Sequence, residues 1–192
     1  MAADNTTPLF GDLWEQLINT RPFFLMAGPN VIESLDRCLR IGQEMQQMCR
    51  RLGIIYIFKS SFDKANRTSI NSYRGLGAET GLSILKRVRE RLLVPIITDI
   101  HYPEQAALAA QVADIIQIPA FLCRQTDLLL AAGATGKIIH IKKGQFCAPE
   151  VMKHSVDKIR STGNFKVMVC ERGSMYGYHD LVVDPRGDIA HG

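Results

Sequence analysis

No stretch of this 192-residue chain approaches the roughly 20 apolar residues that a helix needs to cross a bilayer, so no helical membrane span is expected. The opening segment, MAADNTTPLFGDLWEQLINTRP, lacks a basic start followed by an apolar stretch. No secretory signal is therefore expected, and the cytoplasm is the default location. The five cysteines (Cys38, Cys49, Cys123, Cys147 and Cys170) form no C-x-x-C pair. That scatter argues against a zinc site or a disulfide framework and for reduced core thiols. Aromatic residues do not interleave with the basic clusters at Arg50–Arg51 and Lys86–Arg91, and the net charge is only +4. A nucleic-acid surface is correspondingly disfavoured. What is present is ordinary for a soluble domain with a sizeable core: 46% hydrophobic and 22% charged residues.

Six short apolar runs punctuate the chain: Phe23 to Ala27, Ile54 to Phe58, Pro95 to Thr98, Ile115 to Ile118, Ile138 to Ile141 and Val167 to Cys170. Between them lie stretches with helical signals. Ser34 precedes apolar positions at helical spacing and Gly53 stops them. Further helices are expected over about Gly77 to Leu93, Pro103 to Val112, Gln125 to Ala132 and Pro149 to Ser161. Such alternation predicts a parallel sheet covered by crossover helices. An open nucleotide-binding sheet would carry a G-x-G-x-x-G first turn, whereas the first turn here is Gly28-Pro29-Asn30. The expectation is therefore an α/β fold of the TIM (β/α)8 barrel type, with about six βα units and so apparently incomplete. Residues 1–21 read as a loose lead-in and 22–192 as the partial barrel. The tail from Leu181 to Gly187 reads as the start of a further element.

The ends of the runs carry the chemistry. Asn30, Lys59, Asp99, Gln117, Lys142 and Arg172 stand at or just past them, and parallel-barrel strands place such positions on one face. Three of the six are cations, which points to an anionic ligand. The loop Lys59 to Ser69 adds Ser61, Lys64, Asn66, Arg67 and Thr68, the side chains that carboxylate and phosphate recognition uses. A second cationic segment is Lys142-Lys143-Gly144, which reads equally as a strand-end lysine beside a glycine holding a phosphate and as a surface lysine pair. A third is Arg172, which meets either a ligand anion or a carboxylate such as Glu171 or Asp184. Gln117-Ile118-Pro119-Ala120-Phe121 presents an amide and then exposed backbone, with Phe121 as a wall against water. Asp99 and His101 supply a carboxylate and an imidazole for orienting a hydroxylated substrate and moving a proton.

Gly28 to Ser34, the Lys59 to Ser69 loop, Tyr73-Arg74-Gly75 and Thr98-Asp99-Ile100-His101 together resemble 3-deoxy-D-manno-octulosonate 8-phosphate synthase. So do Gln117 to Asp127, Lys142 to Phe146, Ala148-Pro149, and Cys170 to Gly173 followed by Tyr178 and Leu181 to Asp184. The resemblance implies a barrel enzyme condensing phosphoenolpyruvate with D-arabinose 5-phosphate and water, with release of phosphate. Its product feeds cell-envelope or cell-wall polysaccharide. By these motifs Lys59, Ser61 and Lys64 hold the phosphoenolpyruvate carboxylate. Gln117, Pro119, Ala120, Phe121, Lys142 and Arg172 surround its phosphate. Asn66, Arg67, Thr68 and Asp99 take the sugar phosphate, and Arg124 reaches in from a neighbouring subunit of a homo-oligomer, a tetramer by resemblance. The catalytic set implied is Asn30, Lys59, Lys64, Asp99 and His101.

Asn30 stands where one branch of the family has a metal-binding cysteine, so no metal or other cofactor is expected. His140 and Tyr102 depart from the asparagine and glutamate usual in the family. The family's last two barrel units have no counterpart, which leaves two alternatives open. One is an inactive remnant that binds phosphoenolpyruvate or a sugar phosphate, or joins a full-length relative. The other is a related phosphoenolpyruvate aldolase using a different aldose phosphate.

Overall fold

The computed structural model describes residues 11–185, and the chain divides into two compact units, Met1–Ile97 and Thr98–Gly192. In the first unit, α1 (Leu13–Asn19) is capped by the Asp12 carboxylate, which accepts the Glu15 N–H at 3.2 Å. Leu13 and Leu17, one helical turn apart, are buried. The lead-in expected to be loose is thus helical over these residues, because two spaced leucines suffice to dock it; residues 1–10 of that segment lie outside the described ones. Strand β1 (Phe24–Ala27) leads to α2 (Leu35–Leu52), where Ser34 Oγ accepts the Arg37 N–H and Gly53, at φ 66°, ends the helix. Strand β2 (Ile55–Lys59) and α3 (Gly77–Leu92) follow, and β3 (Ile96–Asp99) runs across the division, with Thr98 and Asp99 counted in the second unit. β1 pairs with β2 in parallel from Phe24↔Ile55 to Ala27↔Phe58, and β2 with β3 through Phe58↔Ile96 and Lys59↔Ile97.

In the second unit, α4 (Gln105–Ala110) is shorter than the expected Pro103–Val112. The reason is local. Gln105 Oε1 accepts the backbone N–H groups of His101 at 2.7 Å and Tyr102 at 3.2 Å, so residues 101–104 form a turn. Next come β4 (Ile115–Ile118), a 3₁₀ turn (Ala120–Leu122), α5 (Thr126–Gly133) and β5 (Ile138–Lys142). A second 3₁₀ turn (Pro149–Val151), α6 (Met152–Arg160) and β6 (Val167–Cys170) continue the alternation. β4 pairs with β5 from Ile115↔Ile138 to Ile118↔Ile141, and β5 with β6 from Ile139↔Val167 to Lys142↔Cys170, all parallel. The tail corrects one expectation. Leu181–Val182 (β8) opens no further barrel unit but folds back antiparallel on Ser174–Met175 (β7). Arg186 and Gly187, the remainder of that expected element, lie outside the described residues.

The six parallel strands follow one another in chain order, the pattern of a TIM-type βα barrel represented by six strands. β3 and β4 are buried along their whole length, as the isoleucine-rich runs require. All five cysteines are free; Cys38, Cys49, Cys123 and Cys147 are buried core thiols and Cys170 is half-buried. Among the described residues no helix is long and apolar enough to span a membrane.

Candidate active site

In the first unit the candidate residues gather where β1 and β2 end. Gly28 lies against the Lys59 carbonyl so closely that a Cβ would sit 2.2 Å from its oxygen. Ser60 Oγ donates to Pro29 O at 2.8 Å, the Ile32 N–H donates to Ser61 O at 3.0 Å, and Val31 bridges Ser61. These contacts fix the backbone on either side of Lys59. The long loop then closes on itself. Arg74 grips Asp63 through two bonds of 2.9 and 2.6 Å, and the Lys64 N–H donates to Arg74 O at 2.6 Å. Arg67 Nε donates to Tyr73 O at 3.1 Å, and the Tyr73 hydroxyl donates to Ile32 O at 3.1 Å. Lys59 and Lys64 are half-buried, whereas Asn30, Asn66, Arg67 and Thr68 are exposed. Ser61 is buried, yet its hydroxyl has no hydrogen-bond partner among the described residues. A buried hydroxyl left unpaired costs about 1–3 kcal/mol, which a ligand oxygen or water would recover.

The second unit repeats the pattern. Asp99 ends β3, and its Oδ2 lies 3.3 Å from His101 Nε2, with both side chains about nine-tenths buried. The structure therefore brings this sequence-predicted pair together as a candidate acid–base couple. Gln117 is buried in β4, side by side with His140 of β5 in the ladder, and Gln117 Oε1 has no partner among the described residues. Pro119 and Ala120 are half-buried at the following 3₁₀ turn. Phe121 and Arg124 share an open cavity of about 340 Å³ with Gln125, Phe146 and Lys158. Lys158 Nζ steadies its rim by donating to Arg124 O at 3.1 Å and Thr126 Oγ1 at 2.8 Å. Lys142 is the half-buried last residue of β5. Arg172 follows β6, half-buried, and its Nε has no partner among the described residues.

Two residues that the sequence reading did not select stand beside these cations. Lys143 is 1% exposed, not one of a surface pair, and its ammonium is ringed by oxygens. Glu171 turns one carboxylate oxygen onto its own chain, accepting the N–H groups of Arg172 and Gly173. The same oxygen lies 3.4 Å from Lys143 Nζ. The carboxylate alternative for Arg172 named Glu171, but Glu171 pairs with Lys143. Nothing in the spacing distinguished Lys143 from Lys142. Only the packed loops do.

Comparison with known proteins agrees with the motifs. The "2-dehydro-3-deoxyphosphooctonate aldolase 1" of Arabidopsis thaliana is 59% identical over 174 residues, covering 91% of this chain and 60% of that protein. The "2-dehydro-3-deoxyphosphooctonate aldolase" of Pisum sativum gives 59% over 174 residues, with the same coverage of each chain (91% and 60%). Its namesake in Marinobacter nauticus gives 52% over 172 residues, or 90% of this chain and 61% of that one. The chain thus spans about three fifths of the length of these curated relatives. The family model described as the DAHP synthetase I family matches residues 18–184, nearly all of the described fold, and the chain belongs to that family.

Proposed function

We propose that the chain carries the machinery of a 3-deoxy-D-manno-octulosonate 8-phosphate synthase, condensing phosphoenolpyruvate with D-arabinose 5-phosphate and water. The observation that carries the reading is that Ser61 Oγ, Gln117 Oε1 and Arg172 Nε stand among the buried polar atoms that have no hydrogen-bond partner among the described residues. All three belong to residues that the motifs assign to phosphoenolpyruvate. Folding tolerates such orphans where a ligand or water completes them.

In this reading C3 of phosphoenolpyruvate attacks the sugar aldehyde, water adds at C2, and C–O cleavage releases phosphate. Lys59, Ser61 and Lys64 hold the carboxylate; Gln117, Pro119, Ala120, Phe121, Lys142 and Arg172 enclose the phosphate. Cations fixed before reaction stabilise the charge that moves onto these oxygens. Asp99 holds the His101 imidazole in place and, with Asn66, Arg67 and Thr68, receives the sugar phosphate. Arg124 serves a neighbouring subunit of a homo-oligomer. Asn30 belongs to a site that works without a metal, and a chelator is expected to leave turnover unchanged; inhibition by it would remove this part of the reading. The product belongs to cell-envelope or cell-wall polysaccharide synthesis, and the enzyme works in the cytoplasm.

The decisive experiment measures phosphate release from phosphoenolpyruvate by the purified chain with and without arabinose 5-phosphate. Release that requires the sugar supports the synthase. Absence of release from a sample folded by circular dichroism refutes catalysis by this chain, and tight phosphoenolpyruvate binding in that sample would identify a non-catalytic binder.

A further inference from the structure

Lys143 Nζ donates to Gly144 O at 3.3 Å, Cys147 O at 3.2 Å, Gly173 O at 2.9 Å and Ser174 Oγ at 3.0 Å. Two acceptors come from the loop after β5 and two from the loop after β6. Glu171 Oε1, at 3.4 Å, supplies the countercharge. An ammonium has only three protons, so this one is fully engaged within the fold and has none left for a ligand. The residues beside this knot are Lys142 on one loop and Arg172 on the other. Arg172 forms no ion pair among the described residues, although a carboxylate stands next to it in the chain. Glu171 is held elsewhere, by Lys143 and by two backbone amides.

We infer that Lys143 is a positioning residue: it holds the Glu171 carboxylate away from the Arg172 guanidinium and so keeps Arg172 available to a phosphate-bearing ligand. The inference rests on the reading that Arg172 takes the phosphate of phosphoenolpyruvate. Without the ammonium, Glu171 would be a half-buried carboxylate with Arg172 beside it in the chain, and pairing there would close the anion site from within.

The test compares wild type, Lys143→Met, Glu171→Gln and the double variant by two readouts. One is phosphoenolpyruvate affinity by calorimetry. The other is the ¹⁵Nε resonance of Arg172, which reports pairing of the guanidinium with no ligand present. Lys143→Met is expected to weaken affinity about tenfold, the loss of one charge-assisted bond, and to shift the Arg172 resonance. Removing the Glu171 charge as well should restore affinity to near wild type and return the resonance, even while thermal stability stays low. A double variant as weak as the single one, with the resonance unmoved throughout, would make Lys143 a structural tether only. If Lys143→Met fails to fold, Glu171→Gln decides: unchanged affinity upholds the inference, and a tenfold loss overturns it. If wild type binds no phosphoenolpyruvate, the functional reading fails separately. The Arg172 resonance in Lys143→Met then decides the inference alone.

Discussion

Gly28→Ala is expected to damage the site and the fold together, through one contact. The added Cβ would lie 2.2 Å from the Lys59 carbonyl oxygen, 3.1 Å from its carbon and 3.2 Å from its nitrogen. All three are backbone atoms, so no side chain can swing aside. Carbon–oxygen contacts between neighbouring strands settle near 3.3–3.6 Å, so the ends of β1 and β2 must part by about 1 Å. Overpacking of this kind costs about 1–3 kcal/mol, and for a chain of this size each kcal/mol lowers Tm by about 2–4 °C. The melting point should therefore fall by roughly 2–12 °C. Because the shift falls on the residue that bears the Lys59 ammonium, phosphoenolpyruvate affinity should fall too; misplacement of a positioning group by about 1 Å can cost up to about a hundredfold in rate.

Gly53→Ala separates the two effects. Gly53 has φ 66° with nothing within 4 Å of an added Cβ, so it strains the end of α2 by about 1 kcal/mol and touches no site residue. Scanning calorimetry gives Tm for both variants, and titration calorimetry gives affinity. If Gly28→Ala melts at the wild-type temperature, the close approach of β1 to Lys59 is wrong. If it melts lower but binds as tightly, Lys59 is not held in place by this contact.

Three further outcomes follow from the same structure. Lys142→Ala should weaken phosphoenolpyruvate binding at least about tenfold, as loss of a charge-assisted bond does, and unchanged affinity would remove Lys142 from the site. Leu93 caps α3 at φ 52° with an exposed side chain; Leu93→Gly relieves about 1 kcal/mol of left-handed strain, so Tm should rise, and a fall would show that the leucine packs usefully. Burial, with the Glu33 charge adding, pushes the Cys38 thiol from 9.0 up to about 11, and burial raises Tyr56, Cys49 and Cys123 in the same direction. Between the unfolded and folded values the unfolded chain holds fewer protons, so the contribution of these groups to stability is fully present below about pH 9 and is lost as pH rises beyond it. Urea midpoints measured across that range check the sign, and Cys38→Ala should flatten the slope; midpoints that rise with alkalinity would refute the burial argument.

Much of this was legible in the chain because the strands, fully buried in β3 and β4 and half-buried in β1 and β6, write themselves as continuous apolar runs. Ile115–Ile118 and Val167–Cys170 match the observed β4 and β6, and Ser34 and Gly53 bracket α2 as their capping chemistry predicts. Misreadings occurred where a single side chain overrode the local pattern. Gln105 takes two backbone N–H groups and delays α4, an interaction that apolar spacing does not encode. Leu181 and Val182 have the composition of a strand, but composition carries no direction. Their pairing with Ser174 and Met175 makes a hairpin.

The two adjacent lysines mark the limit of reading function from charge at strand ends. Successive side chains of extended backbone alternate in face, and past the end of β5 Lys143 is buried while Lys142 is half-buried. Which of them turns inward depends on acceptors some thirty residues further on, at Glu171, Gly173 and Ser174, that no local pattern announces. A buried ammonium without such acceptors would be prohibitive, so the carbonyls of two loops determine that Lys143 belongs to the fold. Lys142 is left as the cation able to face an anion. Counting cations at strand ends therefore overstates the charge offered to the ligand unless cations held by the fold are first subtracted. Glu171 shows the same for the opposite sign: read along the chain it neutralises Arg172, and read in the structure it neutralises Lys143 and leaves Arg172 its charge.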